Sequence, residues 1–480
     1  MKTAVGAVIL GLSMLLVPGI LLADEVFPVD RDLYPWYPSL VRWEKTAAEF
    51  HPPAVCADCH RQQFEEWSGS LHALAFVDPV YQGELQKGIK AVGRDIARQC
   101  EGCHSPAAMV TGELAKSKFG KLSKLALAGV SCDVCHSVSG VTHQQTPSRE
   151  PENGSLVLAP GRADGSLVKR GPIAPPAACG GGFHDCAESS LHRSSDLCAS
   201  CHQVLHFDKH FPLEATYQEW KGSVYAQMDI GCQDCHMVDT ATFLRSSAFL
   251  KPERAEYRHF FNGANYLLYH LAQAAALKSG DAAAAQRFAR QYDMAVARLQ
   301  AAAQVEVLPT YVAGQLVEVR LRVMNLRAGH ALPTSLTNVR QMWLELTVTD
   351  ETGKVLRSSG KLDPQGQLEA DTRLFNSDGM GESMHFAIDP WVVIGFSRHD
   401  TIPPHGYRDV VYGLQLPKGV ETVNVKARLR YRQADQKVAE ALLAAVPADI
   451  NLKAIYGLER VPQLPVVDMA VTSAKLAVQR

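Results

Sequence analysis

Ten cysteines of the chain fall into five copies of one pattern, a Cys-x-x-Cys pair followed at once by His. The copies are Cys56-Ala-Asp-Cys59-His60, Cys100-Glu-Gly-Cys103-His104, Cys132-Asp-Val-Cys135-His136, Cys198-Ala-Ser-Cys201-His202 and Cys232-Gln-Asp-Cys235-His236. Each reads as a c-type haem attachment motif. The two thiols add across the vinyl groups of the macrocycle, and the adjoining imidazole is placed to reach the iron as proximal ligand. With 12 Cys and 18 His in 480 residues, chance would give about 0.01 such motifs. Zinc or iron–sulfur binding by paired thiolates leaves the five histidines unexplained. The cofactor expectation is therefore five covalently attached haem c.

Five haems between Cys56 and His236 leave roughly 36 residues of chain for each. Packed so densely, the cofactors themselves must form much of the core, and neighbouring macrocycles must lie close together. The sequence there has short helical pieces, many Gly and Pro, and no sustained apolar period. Six-coordinate irons need further axial ligands, and thirteen histidines lie outside the motifs. An internal repeat points to one of them. Phe64-Glu-Glu-Trp67-Ser-Gly-Ser-Leu-His72-Ala73 matches Tyr217-Gln-Glu-Trp220-Lys-Gly-Ser-Val-Tyr225-Ala226. The element reads as a helix with Trp packed on a haem and its last residue near an iron. That makes His72 a distal ligand candidate. Tyr225 stands at the same place in the second copy, as a residue that does not coordinate or as a tyrosine beside an open iron.

The stretches CADCHRQQFEEWSGSLHALAF, GVSCDVCHSV, HDCAESSLHRSSDLCASCHQ and TYQEWKGSVYAQMDIGCQDCHM resemble the multihaem cytochrome c superfamily. The nearest group is typified by the tetrahaem cytochrome that takes electrons from hydroxylamine oxidoreductase, and the superfamily includes pentahaem nitrite reductase. The resemblance spans roughly residues 50 to 265. It implies distal ligands after the W-x-x-S element and ahead of a CxxCH motif, which by position are His72 and His184, with His192 competing with His184. It implies His259 after the last motif, with His143 a weaker choice. His330, in Asn325-Leu-Arg-Ala-Gly-His-Ala-Leu-Pro-Thr334, resembles a GHxxPT element found beyond the haem region of such cytochromes. The chain departs from pentahaem nitrite reductase in ending every motif with His, where that enzyme's active haem has CxxCK.

Cys179 and Cys186 lie outside the motifs, in Cys179-Gly-Gly-Gly-Phe-His-Asp-Cys186, and read as a local disulfide. The N-terminal segment has Lys2, an uncharged run from Ala4 to Leu22, and Leu21-Leu22-Ala23 ahead of Asp24. It reads as a secretory signal over residues 1–23, placing the protein in the periplasm. An uncleaved anchor is the alternative, and the only route to the membrane. Forty-eight basic against 50 acidic residues exclude the basic face of a general nucleic-acid binder.

The expected organisation continues with a pentahaem module over 24–262, built of short helices and loops around stacked haems. A helical segment follows over 263–303, with Asp281 as an N-cap and Phe288, Tyr292, Val296 and Leu299 on one face. From 304 to 432 the period becomes two, as in Val317, Val319, Leu321 and Val323, and again in Val423, Val425, Ala427, Leu429 and Tyr431. That predicts an antiparallel β-sandwich. A C-terminal helix and tail complete the chain over 433–480. The reading that follows is an exported electron relay, more a carrier than a catalyst. Its expected partners are other redox proteins, either periplasmic or membrane-bound cytochromes or a quinol-linked complex. The alternatives are a multihaem oxidoreductase acting on a small nitrogen or sulfur species at one open haem, and a subunit of a larger electron-transfer assembly.

Overall fold

The computed structural model describes residues 49–116, 119–141, 150–161, 165–176, 179 and 182–479. The signal segment 1–23 and His143 lie outside the described residues.

Up to residue 262 the chain is a succession of short helices. Most run four to nine residues, and the longest, Pro79–Val92, has 14. Local chemistry sets their starts. Ser70 accepts a hydrogen bond from the Ala73 amide, and Asp78 accepts from Val80 ahead of Pro79 at the first helical position. The attachment motifs sit at helix ends, in Ile96–His104, Cys132–Ser137, Asp196–His202 and Cys232–His236, while the first begins in Pro53–Ala57. Positions i, i+3 and i+4 share a helix face, so both thiols and the imidazole of a motif turn the same way.

Two longer helices follow, Leu267–Ser279 and Ala282–Ala302. The first ends on Gly280 in the left-handed conformation (φ 80°), and Asp281 caps the second through the Ala284 amide. The long helix has two working faces. Ala295 and Leu299 enter the same hydrophobic core as the strands beyond it, while Gln291 and Arg298 reach back into the motif region.

Beyond the long helix the strands form two main antiparallel sheets and a small antiparallel pair, Ser377–Met380 with Gly395–His399; among the described residues the motif region holds three further two-stranded pairs. One main sheet has the order Val355–Ser359, Gln341–Asp350, Thr422–Arg432, Val467–Ala477, with Leu374–Phe375 also on Gln341–Asp350. The other has Tyr407–Gly413, Gln315–Asn325, Ala303–Val312. Val319, Leu321 and Val323 from one sheet share a core with Leu344, Leu346, Val348, Val425 and Leu429 from the other. Val317 is only half-buried, and Leu316 takes the inward place. The register irregularity opposite it, between Thr310 and Tyr311, shifts the phase by one residue.

The C-terminal segment differs from the expected helix and tail. It holds helices Gln436–Ala444 and Leu452–Tyr456 and then the strand Val467–Ala477, which pairs with Thr422–Arg432 along nearly its whole length. The sheet region therefore extends beyond residue 432 to the end of the described chain.

Candidate functional site: paired imidazoles around five attachment motifs

The motif thiols are not scattered. Those of Cys56 and Cys132 lie against each other, as do Cys198 and Cys232, and Cys103 and Cys201. Asp133, inside the third motif, is almost wholly buried; it accepts from the His51 amide at 2.6 Å and pairs with Lys169 at 2.7 Å.

Backbone carbonyls orient three of the motif imidazoles. His104 Nδ1 meets the Ala75 carbonyl at 2.7 Å, His136 Nδ1 that of Arg170 at 2.6 Å, and His236 Nδ1 that of Asn262 at 2.7 Å. A carbonyl only accepts, so each Nδ1 carries the proton and each Nε2 keeps a free lone pair. His202 differs, with Nδ1 3.4 Å from the Glu214 carboxylate. Glu214 raises the His202 pKa to about 9 against the opposing effect of burial, and a metal at Nε2 would take the place of the second proton, leaving the Nδ1 proton on the carboxylate. Burial instead holds His236 and His72 down at about 3 and His259 at about 4, which keeps these imidazoles neutral and able to bind a metal.

Four motif histidines stand opposite a second imidazole. Ring centres are 6.4 Å apart for His60 and His184, 6.3 Å for His202 and His72, 6.3 Å for His136 and His259, and 6.2 Å for His236 and His330. The planes of each pair differ by 19° to 34°. Two imidazoles that share a metal, with bonds of about 2 Å each, bring their ring centres roughly 6.3 Å apart. The spacing is too wide for ring stacking and fits one iron between each pair. The buried Nδ1 atoms of His72 and His259 have no protein partner.

His104 has no such counterpart among the described residues. Tyr81 lies on its ring at 3.8 Å, with the planes within 8°. That is a stacking contact with no room for a metal between.

His192 is a second imidazole near His136, with one ring nitrogen engaged elsewhere. Its ring centre is 5.9 Å from that of His136, and its Nε2 is hydrogen-bonded to the Cys135 carbonyl at 2.9 Å. That nitrogen is committed to the backbone of the motif it approaches while the buried Nδ1 has no partner, so both His192 and His259 stand near His136, with His259 at the spacing of the other pairs.

Tyr225 is also placed differently from the reading beside an open iron. It is 1% exposed and donates its hydroxyl to the Ser247 carbonyl at 2.9 Å. The tryptophans of the repeat use their indole N–H groups on backbone, Trp67 on the Val130 carbonyl and Trp220 on the Ile230 carbonyl.

The loop carrying His330 comes from the sheet region and is clamped from both sides. Asn325 donates to the His330 carbonyl at 2.9 Å, and Glu219, on the helix Thr216–Lys221, accepts from the Ala331 amide and the Thr334 hydroxyl. A Cβ on Gly329 would lie 3.4 Å from Tyr225 and 3.5 Å from Trp220, so the loop packs closely on the second copy of the repeat. Sequence reasoning missed two supports. Asn262 holds His236 through its carbonyl, and Arg298 donates to the Asn262 side chain and to the Cys235 and Val238 carbonyls. Arg298 sits on an Ala-rich helix far along the chain, where nothing local marks it. Cys179 and Cys186 form a disulfide, with Cα atoms 5.8 Å apart.

Residues 55–137 match the family described as cytochrome c554 and c-prime. The chain is similar in fold to a penta-heme cytochrome c552 from Thermochromatium tepidum, at 18% identity and a TM-score of 0.58, over 89% of this chain and 99% of that one. No curated protein matches the chain. The fold is thus that of a multihaem c-type cytochrome, and the first three motifs lie within the matched segment.

Proposed function

We propose that this chain is an exported pentahaem cytochrome that relays electrons between redox proteins, with a two-sheet sandwich completing one of its haem sites. The observation that carries the reading is the set of four imidazole pairs with ring centres 6.2 to 6.4 Å apart. When bound, haem supplies one-electron exchange at iron. The chain's part is to tether, orient and desolvate. The motif cysteines would hold each macrocycle covalently, and carbonyls at Ala75, Arg170 and Asn262 fix the Nε2 direction. His72, His184, His259 and His330 are the residues that would hold the irons from the side facing the motif histidines. The thiol contacts put the His60 motif beside the His136 motif, and the His202 motif beside both the His104 and His236 motifs. Adjacent cofactors of this kind support serial transfer, and redox proteins are the partners such a relay requires.

A second reading is favoured by one observation, the lack of an imidazole facing His104 among the described residues. The His104 iron would then be open to a small ligand, and the oxidoreductase alternative would act there. Three measurements test these readings together. Intact mass of the denatured protein is expected to equal the processed chain plus five haems, and four or fewer would refute the pentahaem assignment. EPR of the oxidised protein is expected to count four low-spin irons. Rapid, saturable reoxidation of the reduced protein by nitrite, hydroxylamine or tetrathionate would replace the relay by the oxidoreductase.

A further inference from the structure

Three of the four facing imidazoles are held by non-covalent contacts of their own segments. His72 lies in the helix Leu71–Leu74, begun by the Ser70 cap. The His259 amide donates to Glu66 at 2.8 Å, and His330 is bracketed by Asn325 and Glu219. His184 has contacts of this kind too, with its Nδ1 3.0 Å from the Asp185 carbonyl and the neighbouring Phe183 edge-on to His51, but it has a covalent bridge beside them. On its C-terminal side the chain enters the strand Asp185–Glu188, which pairs with Val168–Gly171, and the Asp185 amide donates to the Leu167 carbonyl. On its N-terminal side Phe183 is 57% exposed. The Cys179–Cys186 bridge closes the segment around it, and the Cys186 Sγ lies 4.0 Å from His184 Nδ1.

We propose that the Cys179–Cys186 disulfide is a redox-sensitive positioning element for His184. Intact, it holds the imidazole opposite His60; reduced, it releases the imidazole and leaves the iron of the first motif with His60 alone. The inference rests on the ligation reading above. Reduction by a dithiol delivers two electrons and two protons; a phosphine delivers the two electrons and leaves as its oxide, with water supplying the oxygen and the two protons; either way the one S–S bond breaks and two thiols remain. Reoxidation returns the two electrons to an acceptor and restores the bond. The chain would then couple a two-electron thiol centre to a one-electron iron centre. Neither cysteine touches the iron; both act through His184.

The experiment uses the full holoprotein. The disulfide is reduced with a phosphine, the new thiols are blocked with iodoacetamide, and the haems are reoxidised with ferricyanide. One low-spin EPR signal is expected to be replaced by a high-spin one, and the ferrous protein to bind one more carbon monoxide per chain than before treatment. Added imidazole is expected to restore the low-spin signal. The double variant Cys179→Ser, Cys186→Ser is expected to behave alike without reductant. His184→Ala is the control for the ligation reading, and should lose the same signal whatever the state of the bridge. If Cys179 and Cys186 are alkylated in the wild type while every low-spin signal and the carbon monoxide stoichiometry persist, the proposal is overturned. If His184→Ala itself leaves the spin count unchanged, the ligation at His60 falls first and the proposal with it.

Discussion

Trp67 donates its indole N–H to the carbonyl of Val130 at 2.9 Å, two positions ahead of Cys132. Trp220 does the same to Ile230 at 2.8 Å, two positions ahead of Cys232. The repeat in the sequence is therefore a repeated device. In each copy a tryptophan at the end of a short helix fixes the approach to a later attachment motif. Replacing Trp67 by Phe removes the donor while keeping most of the ring. The expected loss is about 1 kcal/mol, read as a lower denaturation midpoint with haem content unchanged. A drop in haem content would mean that the bond also guides attachment.

The next expectation separates His192 from His259. His259→Ala should convert one low-spin iron to high spin, because His259 stands across from His136. His192→Ala should leave the spin count intact, because its Nε2 is bonded to the Cys135 carbonyl. EPR of the two oxidised variants decides, and the reverse pattern would exchange their roles.

His330→Ala should also open one iron, that of the His236 motif. Here the ligand comes from a loop between strands. Gly329→Leu should produce a similar change without touching the ligand, since a side chain there meets Tyr225 and Trp220. Carbon monoxide binding by the reduced proteins measures both. No gain in binding for His330→Ala would remove the sheet region from the haem sites.

Wild-type protein, fully reduced, should bind one carbon monoxide per chain, at the iron of the His104 motif. A stoichiometry of zero would place a sixth ligand there; His143 lies outside the described residues and would be the first to replace.

Arg298 is 5% exposed and donates to the Asn262 side chain and to two carbonyls around the last motif. Arg298→Met keeps bulk and strips the donors, leaving three acceptors buried. The cost should be about 3 kcal/mol, with the largest spectral effect on the haem of the His236 motif. A change within experimental error would assign those acceptors to water.

Much of this was legible from residue types and spacing, for reasons that differ from place to place. The attachment motifs are local, so five short strings announce them. His72 could be found because the repeat marks its position, and His330 because a glycine-flanked histidine interrupts a two-residue period. The competition at His136 was not legible. It turns on which of two histidines is engaged by the Cys135 carbonyl, a contact between segments far apart in sequence. The strand Val467–Ala477 was hidden for a different reason. The register shifts between Leu429 and Arg430 of its partner strand, which breaks the alternation, and past that point residues such as Ala470, Thr472 and Ala474 give little apolar contrast. The pairing of His104 with Tyr81 likewise has no signature in either segment.

The order of the facing pairs has a consequence for the integrity of the chain. His60 reaches forward to His184, His72 to His202, His136 to His259 and His236 to His330. Each span begins before the previous one has ended, so the four overlap like links. With an iron in each pair, every peptide bond between His60 and His330 lies inside at least one closed loop. A protease that nicks an exposed turn in that stretch severs the backbone but releases no fragment. The cut pieces would stay fastened through metal until the imidazoles were displaced, so the proposed cofactors would serve as the chain's cross-links as well as its redox centres.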